Sequence, residues 1–77
     1  MTQEGKALTS KILKSAAKDI RFLKTAIECK SEESIISEVR GFIKGKLAAA
    51  TMLTGNEYTW DTDGIYENHG NEPIFKA

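Results

Sequence analysis

The sequence predicts an all-α fold: an antiparallel helical hairpin, residues 6–29 and 32–54, followed by a C-terminal arm that is extended or forms a short β-hairpin. Three observations lead there. Apolar residues recur at three- and four-residue steps through two long segments. The one break between them, around Lys30–Ser31, is short enough to make the two helices antiparallel neighbours. Beyond Gly55 the helical pattern stops, and turn residues and the single proline take over. The chain thus divides into a helical hairpin over 1–54 and an acidic, aromatic arm over 55–77.

In the first helix, Leu8, Ile12, Ala16, Leu23 and Ile27, with Ile20 beside them, form the expected apolar stripe, and Leu13 and Phe22 sit at its edges. Lys11, Lys14, Lys18 and Arg21 recur at the same steps on nearly the opposite face. A basic amphipathic face of this kind contacts phosphates or an anionic surface, or simply keeps the outside of the helix solvated. The solvated reading is favoured, with these four residues as the phosphate-contacting candidates.

Ser31 is the expected N-cap of the second helix, with Glu32 and Glu33 in its first turn, where the helix dipole favours acid. Ile35, Ile36, Val39, Phe42, Ile43, Leu47, Ala50 and Leu53 then spread over more than one face, more than a two-helix hairpin needs. Gly41, Gly45 and Ala49 stand four residues apart and share a face. Two glycines inside a helix cost roughly 1 kcal/mol each relative to alanine, so the seam is expected to serve close approach of another helix. Gly41, Gly45 and Ala49 are therefore the predicted helix-packing interface, meeting a second copy or a different protein. Gly55 reads as a C-terminal cap.

In the tail, Tyr58-Thr59-Trp60 and Ile65-Tyr66 flank Asp61-Thr62-Asp63-Gly64, which suits a type I turn closed by glycine. Two strands alone are marginal in water. Tyr58, Trp60, Tyr66, Ile74 and Phe75 are accordingly read as partner-docking anchors or as side chains that fold back to complete the core.

Composition narrows the function classes. A chain of 77 residues forms one small domain that buries only about 60% of its unfolded surface, so self-association or a partner is the favoured supplement. Cys29 is the only cysteine, which excludes an internal disulfide. MTQEGKALTSK lacks the apolar core of a signal peptide, and Lys44 and Lys46 interrupt the longest apolar run, so neither a leader nor a membrane span is expected. The net charge of zero is segregated. Residues 1–54 carry ten basic and six acidic side chains, a balance of +4, and residues 55–77 carry one and five, a balance of −4.

No constellation points to catalysis, and no cofactor or metal is expected. Asp61, Asp63, Gly64 and Glu67 are too few and too closely spaced for a calcium loop, and turn chemistry explains them. His69 stands alone between Asn68 and Gly70 in a polar loop, and Cys29 reads as a small apolar residue at a helix edge. No nucleic-acid motif accompanies the lysine face.

From Ala26 to Leu53 the chain resembles small proteins encoded among the virion-assembly genes of tailed bacteriophages. The residues that carry the resemblance are Ala26-Ile27-Glu28-Cys29-Lys30 and Arg40-Gly41-Phe42-Ile43-Lys44-Gly45, over about a third of the chain. Lys46 departs from the pattern, which has leucine there. The resemblance implies a structural or assembly role in a phage particle, located in the virion or the host cytoplasm, and transfers no catalytic residue. The leading expectation is a non-enzymatic interaction protein, a homo-oligomer or part of a larger assembly. The alternatives are a small regulatory inhibitor or antitoxin-like protein whose acidic arm covers a basic site, and a weak nucleic-acid binder.

Overall fold

A computed structural model describes residues 3–77; Met1 and Thr2, at the head of the segment read for a leader, lie outside them. Helix α1 spans Gln3–Glu28 and α2 spans Glu33–Thr54, followed by strands β1 (Tyr58–Asp61), β2 (Gly64–Glu67) and β3 (Phe75–Lys76). The helical hairpin is as expected. The tail forms the expected short β-hairpin, β1–β2, and adds a third strand, β3, so the fold is not purely all-α.

The joint between the helices is built differently from its sequence reading. Lys30 adopts a left-handed conformation, φ 54°. The Ser31 N–H then bonds back to the Ala26 carbonyl at 2.9 Å and the Lys30 N–H to that of Ile27 at 3.1 Å. This is a Schellman closure with lysine in the place usually held by glycine. Ser31 is consumed in ending α1 and does not cap α2. Glu32 takes the N-cap position, without a side-chain bond to the helix. The other end follows expectation: Gly55, φ 76°, donates to the Thr51 carbonyl.

The buried face of α1 is Thr9, Leu13, Ala16, Ala17, Ile20, Leu23 and Ala26, packed on Val39, Ile43, Leu47 and Ala50 of α2. That stripe is rotated from the expected one. Leu13 is in the core, whereas Leu8, Ile27 and Phe22 are exposed. Alanines decide the rotation: with Ala16, Ala17, Ala26 and Ala50 at the contact, the helices close on small side chains. Beside the seam, the Lys46 ammonium donates to Ser15 Oγ at 2.8 Å and to an Asp19 carboxylate oxygen at 2.5 Å, fixing the register.

The strands form one antiparallel sheet in the order β1-β2-β3. Asp61 and Gly64 pair across the two-residue Thr62–Asp63 turn, and the Asp61 carboxylate accepts the Asp63 N–H at 2.8 Å. A side chain at Gly64 would run into the Phe75 carbonyl, so only glycine lets β3 lie so close. Tyr58 and Ile65 enter the same core as the helices, and Trp60, Phe75 and Ala77 pack against it. The sheet thus roofs one side of the hairpin, β1 over α2 and β2–β3 over α1.

Candidate functional site

The side of the hairpin away from the sheet is an apolar face. Lys46 joins α2 to Ser15 and Asp19 there. On α1, Leu8 and Phe22 lie seven residues either side of Ser15 and so share its face. On α2, Phe42 precedes Lys46 by four residues, Ala49 and Leu53 follow it by three and seven, and Ile35 lies two turns before Phe42 in the same row. The antiparallel register set by Lys46 places Phe42 level with Phe22 and Leu53 level with Leu8. Phe22 is 56% exposed, Phe42 53% and Leu8 49%, and Ile35 and Leu53 are also exposed. At roughly 200 Å² for a whole phenylalanine and less for leucine or isoleucine, these side chains leave about 400 Å² of apolar surface in water. Patches of about that size are the largest a typical monomer carries and are often functional.

The predicted seam is not the joint of the hairpin. Gly41 and Gly45 are exposed, with nothing within 4 Å of where a side chain would begin, and Ala49 is half-buried at the margin of the apolar face. The two glycines face outward, along the side of α2 turned away from α1. Lys11, Lys14, Lys18 and Arg21 occupy the corresponding outward side of α1, all exposed. The two flanks of the molecule therefore differ, one carrying a row of cations and the other a row of small residues bordered by the exposed Glu38 and Lys44.

The aromatic anchors are mostly engaged within the chain. Tyr58 is buried, and its hydroxyl donates to Glu67 at 3.0 Å. Trp60 and Phe75 pack on the core. The Tyr66 hydroxyl donates to Asp61 at 3.2 Å, and that hydrogen bond, with slight burial and the charges of Asp61 and Asp63, holds its phenol above the ordinary 10.0. Ile74 alone of the five is exposed. The fold-back reading of the tail therefore accounts for Tyr58, Trp60 and Phe75, while Tyr66 is engaged with Asp61 on the outer side of the sheet.

Two grooves flank the sheet. One, of about 500 Å³, lies between α2 and β1 and is lined by Lys44, Leu47, Ala48, Thr51 and the Tyr58–Trp60 strand. The other, of about 300 Å³, lies between the start of α1 and β3, where Ile74 forms part of its wall.

The residues weighed for chemistry are dispersed. His69 pairs with Glu57 at 2.8 Å on the open surface. Cys29 is exposed at the interhelical joint. Asp61 and Glu67 are engaged with backbone and tyrosine donors. Among the described residues, no group of three metal-ligating side chains comes together, and no helix is long and apolar enough to cross a membrane. The outward apolar face was partly legible, since α2 has more apolar positions than one partner helix covers. Its α1 half, Leu8 and Phe22, was assigned to the core and its edge. No protein-family model, no curated protein and no solved structure matches this chain.

Proposed function

We propose that this chain is a non-enzymatic docking subunit that packs the sheet-free side of its hairpin against a neighbouring protein of a larger assembly. The carrying observation is the face formed by Leu8, Phe22, Ile35, Phe42 and Leu53. Its middle is closed by the Lys46–Asp19 pair rather than by free charges, which lowers the cost of covering it. The resemblance over Ala26–Leu53 makes the tailed-phage particle the proposed setting, with this chain as a minor structural or assembly component.

The test is the size at which the protein migrates in extracts of the cells that make it, compared with a Phe22→Gln/Phe42→Gln variant. Both positions are exposed, so the variant is expected to keep its unfolding temperature. The wild type should run in a complex well above the 8.5 kDa chain, and the variant should lose it. Identical migration of the two proteins would refute the reading.

A further inference from the structure

We propose that the open edge of β1, with the groove beside it, binds an extended segment of a partner protein as a fourth strand. The segment it fits reads cation, apolar, any residue, apolar, cation. This site lies on the sheet side of the molecule and does not depend on the apolar hairpin face.

The first ground is the unused side of β1. The two-residue turn makes Asp61–Gly64 the hydrogen-bonded pair nearest the loop, and alternation makes Thr59–Tyr66 the next. The Asn68 N–H bonded to the Glu57 carbonyl continues that series. Tyr58 and Trp60 therefore turn their N–H and C=O groups away from β2. Native edges are usually blunted by lysine, proline, a bulge or extreme shortness. The other edge, β3, has two residues and ends in Lys76. β1 has four, Tyr-Thr-Trp-Asp, in unbroken register. An added antiparallel strand takes up Tyr58 and Trp60 as two hydrogen-bonded pairs, the mode by which sheet edges capture extended peptides.

The second ground is the groove. Its 500 Å³ or so lie between that edge and α2, with Leu47, Ala48 and Thr51 on the helix side. A strand set about 4.8 Å outside β1 runs over this gap. Its residues opposite Tyr58 and Trp60 point the same way as those two side chains. Tyr58 is buried and Trp60 packs on the core, so both positions point inward, toward the groove. Ala48 is exposed and too small to fill the space from the helix side. Lys44 also lines the groove. Its stem can lie along apolar neighbours with the ammonium in water, but a second cation placed there meets like charge. The two inward positions are accordingly apolar. Met52, one turn beyond Ala48 and exposed, adds a flexible apolar side chain at the margin.

The third ground is charge, and it selects the occupant. Glu57, Thr59 and Asp61 alternate with the inward residues and so share the outer face of the sheet. Tyr66, opposite Thr59, reaches Asp61 across that face. The two carboxylates stand four residues apart, about 13 Å along a strand. The Asp63 N–H and the Tyr66 hydroxyl both donate to Oδ1 of Asp61, and Glu57 meets His69 through Oε2. Each carboxylate thus keeps an oxygen for a further donor. Among the described residues, neither has a lysine or arginine within 4 Å. The outer residues at the two ends of an added strand lie across from these carboxylates, where opposite charge stabilises the pairing and like charge opposes it. Lysine or arginine is therefore the complement at both ends. The pattern is symmetric and holds for either strand direction. A second copy of β1 is the wrong occupant, because it sets Asp61 against Glu57.

The experiment is a fluorescence titration of the full chain, with Trp60, its only tryptophan, as the reporter at the groove. The probes are two synthetic peptides with Gly-Ser flanks, Lys-Ile-Thr-Ile-Lys and its counterpart Glu-Ile-Thr-Ile-Glu. The basic peptide should shift the emission and saturate with a dissociation constant on the order of 100 µM, as suits an interface well below the standard size. The acidic peptide should bind at least tenfold more weakly, and added salt should weaken the basic one. Ala48→Phe fills the groove from α2 and should cost at least tenfold. Glu57→Lys should narrow the difference between the two peptides. Phe22→Gln/Phe42→Gln should bind as the wild type does. At saturation, hydrogen exchange should slow at least tenfold at the Tyr58 and Trp60 amides and stay unchanged at Thr59 and Asp61, which β2 already holds. No binding of the basic peptide at millimolar concentration overturns the inference. Equal binding of the two peptides, or exchange that does not slow at Tyr58 and Trp60, overturns it too. If Ala48→Phe does not fold, Glu57→Lys and the exchange pattern decide. If the Phe22→Gln/Phe42→Gln variant alone loses the peptide, the β1 site falls and the docking reading stands.

Discussion

Replacing Gly45 by alanine should make the isolated chain more stable. Gly45 lies in the middle of α2, and a methyl group added there meets no atom within 4 Å. Nothing in the fold of a single copy therefore opposes it. Alanine is better than glycine in a helix interior by about 0.8–1.0 kcal/mol, because the unfolded chain has less conformational freedom to lose. In a domain of this size each kcal/mol moves the unfolding midpoint by about 4–8 °C. Gly41→Ala has the same surroundings and should add a similar increment. The assay is thermal and urea unfolding at concentrations low enough for the chain to be monomeric, with the denaturant slope expected to stay constant. The control is Gly64→Ala, where the added carbon collides with the Phe75 carbonyl and presses on Pro73. That variant should lose about 2 kcal/mol or more, on the scale of overpacking in a tight site. A Gly45→Ala protein that is destabilised at low concentration would refute the reasoning, since it would mean that the space beside α2 is closed in the monomer.

Three other outcomes follow from the same geometry. Ile65 is fully buried on the central strand, so Ile65→Ala should cost about 2–5 kcal/mol in urea unfolding and loosen the sheet from the helices. Lys30→Gly should raise the unfolding midpoint, because a lysine held at φ 54° carries a penalty of about 1 kcal/mol that glycine lacks, part of it returned through the freer unfolded chain. Ultraviolet titration should show the Tyr66 phenol ionising above 10.0, since its bond to Asp61 favours the protonated form. Stability from that bond is present below 10.0 and is lost as pH rises through the raised value. Asp61→Asn should move the titration back toward the ordinary range.

The left-handed Lys30 that closes the joint was not written in local sequence, but the two helices, the position of the break between them, the Gly55 cap and the Asp61–Gly64 turn were. Each depends on residues within a few positions of one another, through three- and four-residue periodicity or the φ that glycine permits. The rotation of α1 was not readable in this way. Leu8, Ile12, Leu13, Phe22, Leu23 and Ile27 cover more than one face, and periodicity alone does not rank them. The tertiary contact ranked them, because Ala16, Ala17 and Ala50 allow the helices to approach on one line only. Leu13 was thereby turned inward, and Leu8 and Phe22 were left outside. The third strand was equally hidden. Phe75–Lys76 is two residues long and exists only because Ile65 offers it a ladder and Gly64 offers it room. The small-residue row was visible from the start, but sequence spacing says that residues share a face and not where that face points. Only the packed structure placed Gly41 and Gly45 on the outside of α2, on the same flank as the open edge of β1, because burying the alanines and the branched residues of the core left the glycines no other side.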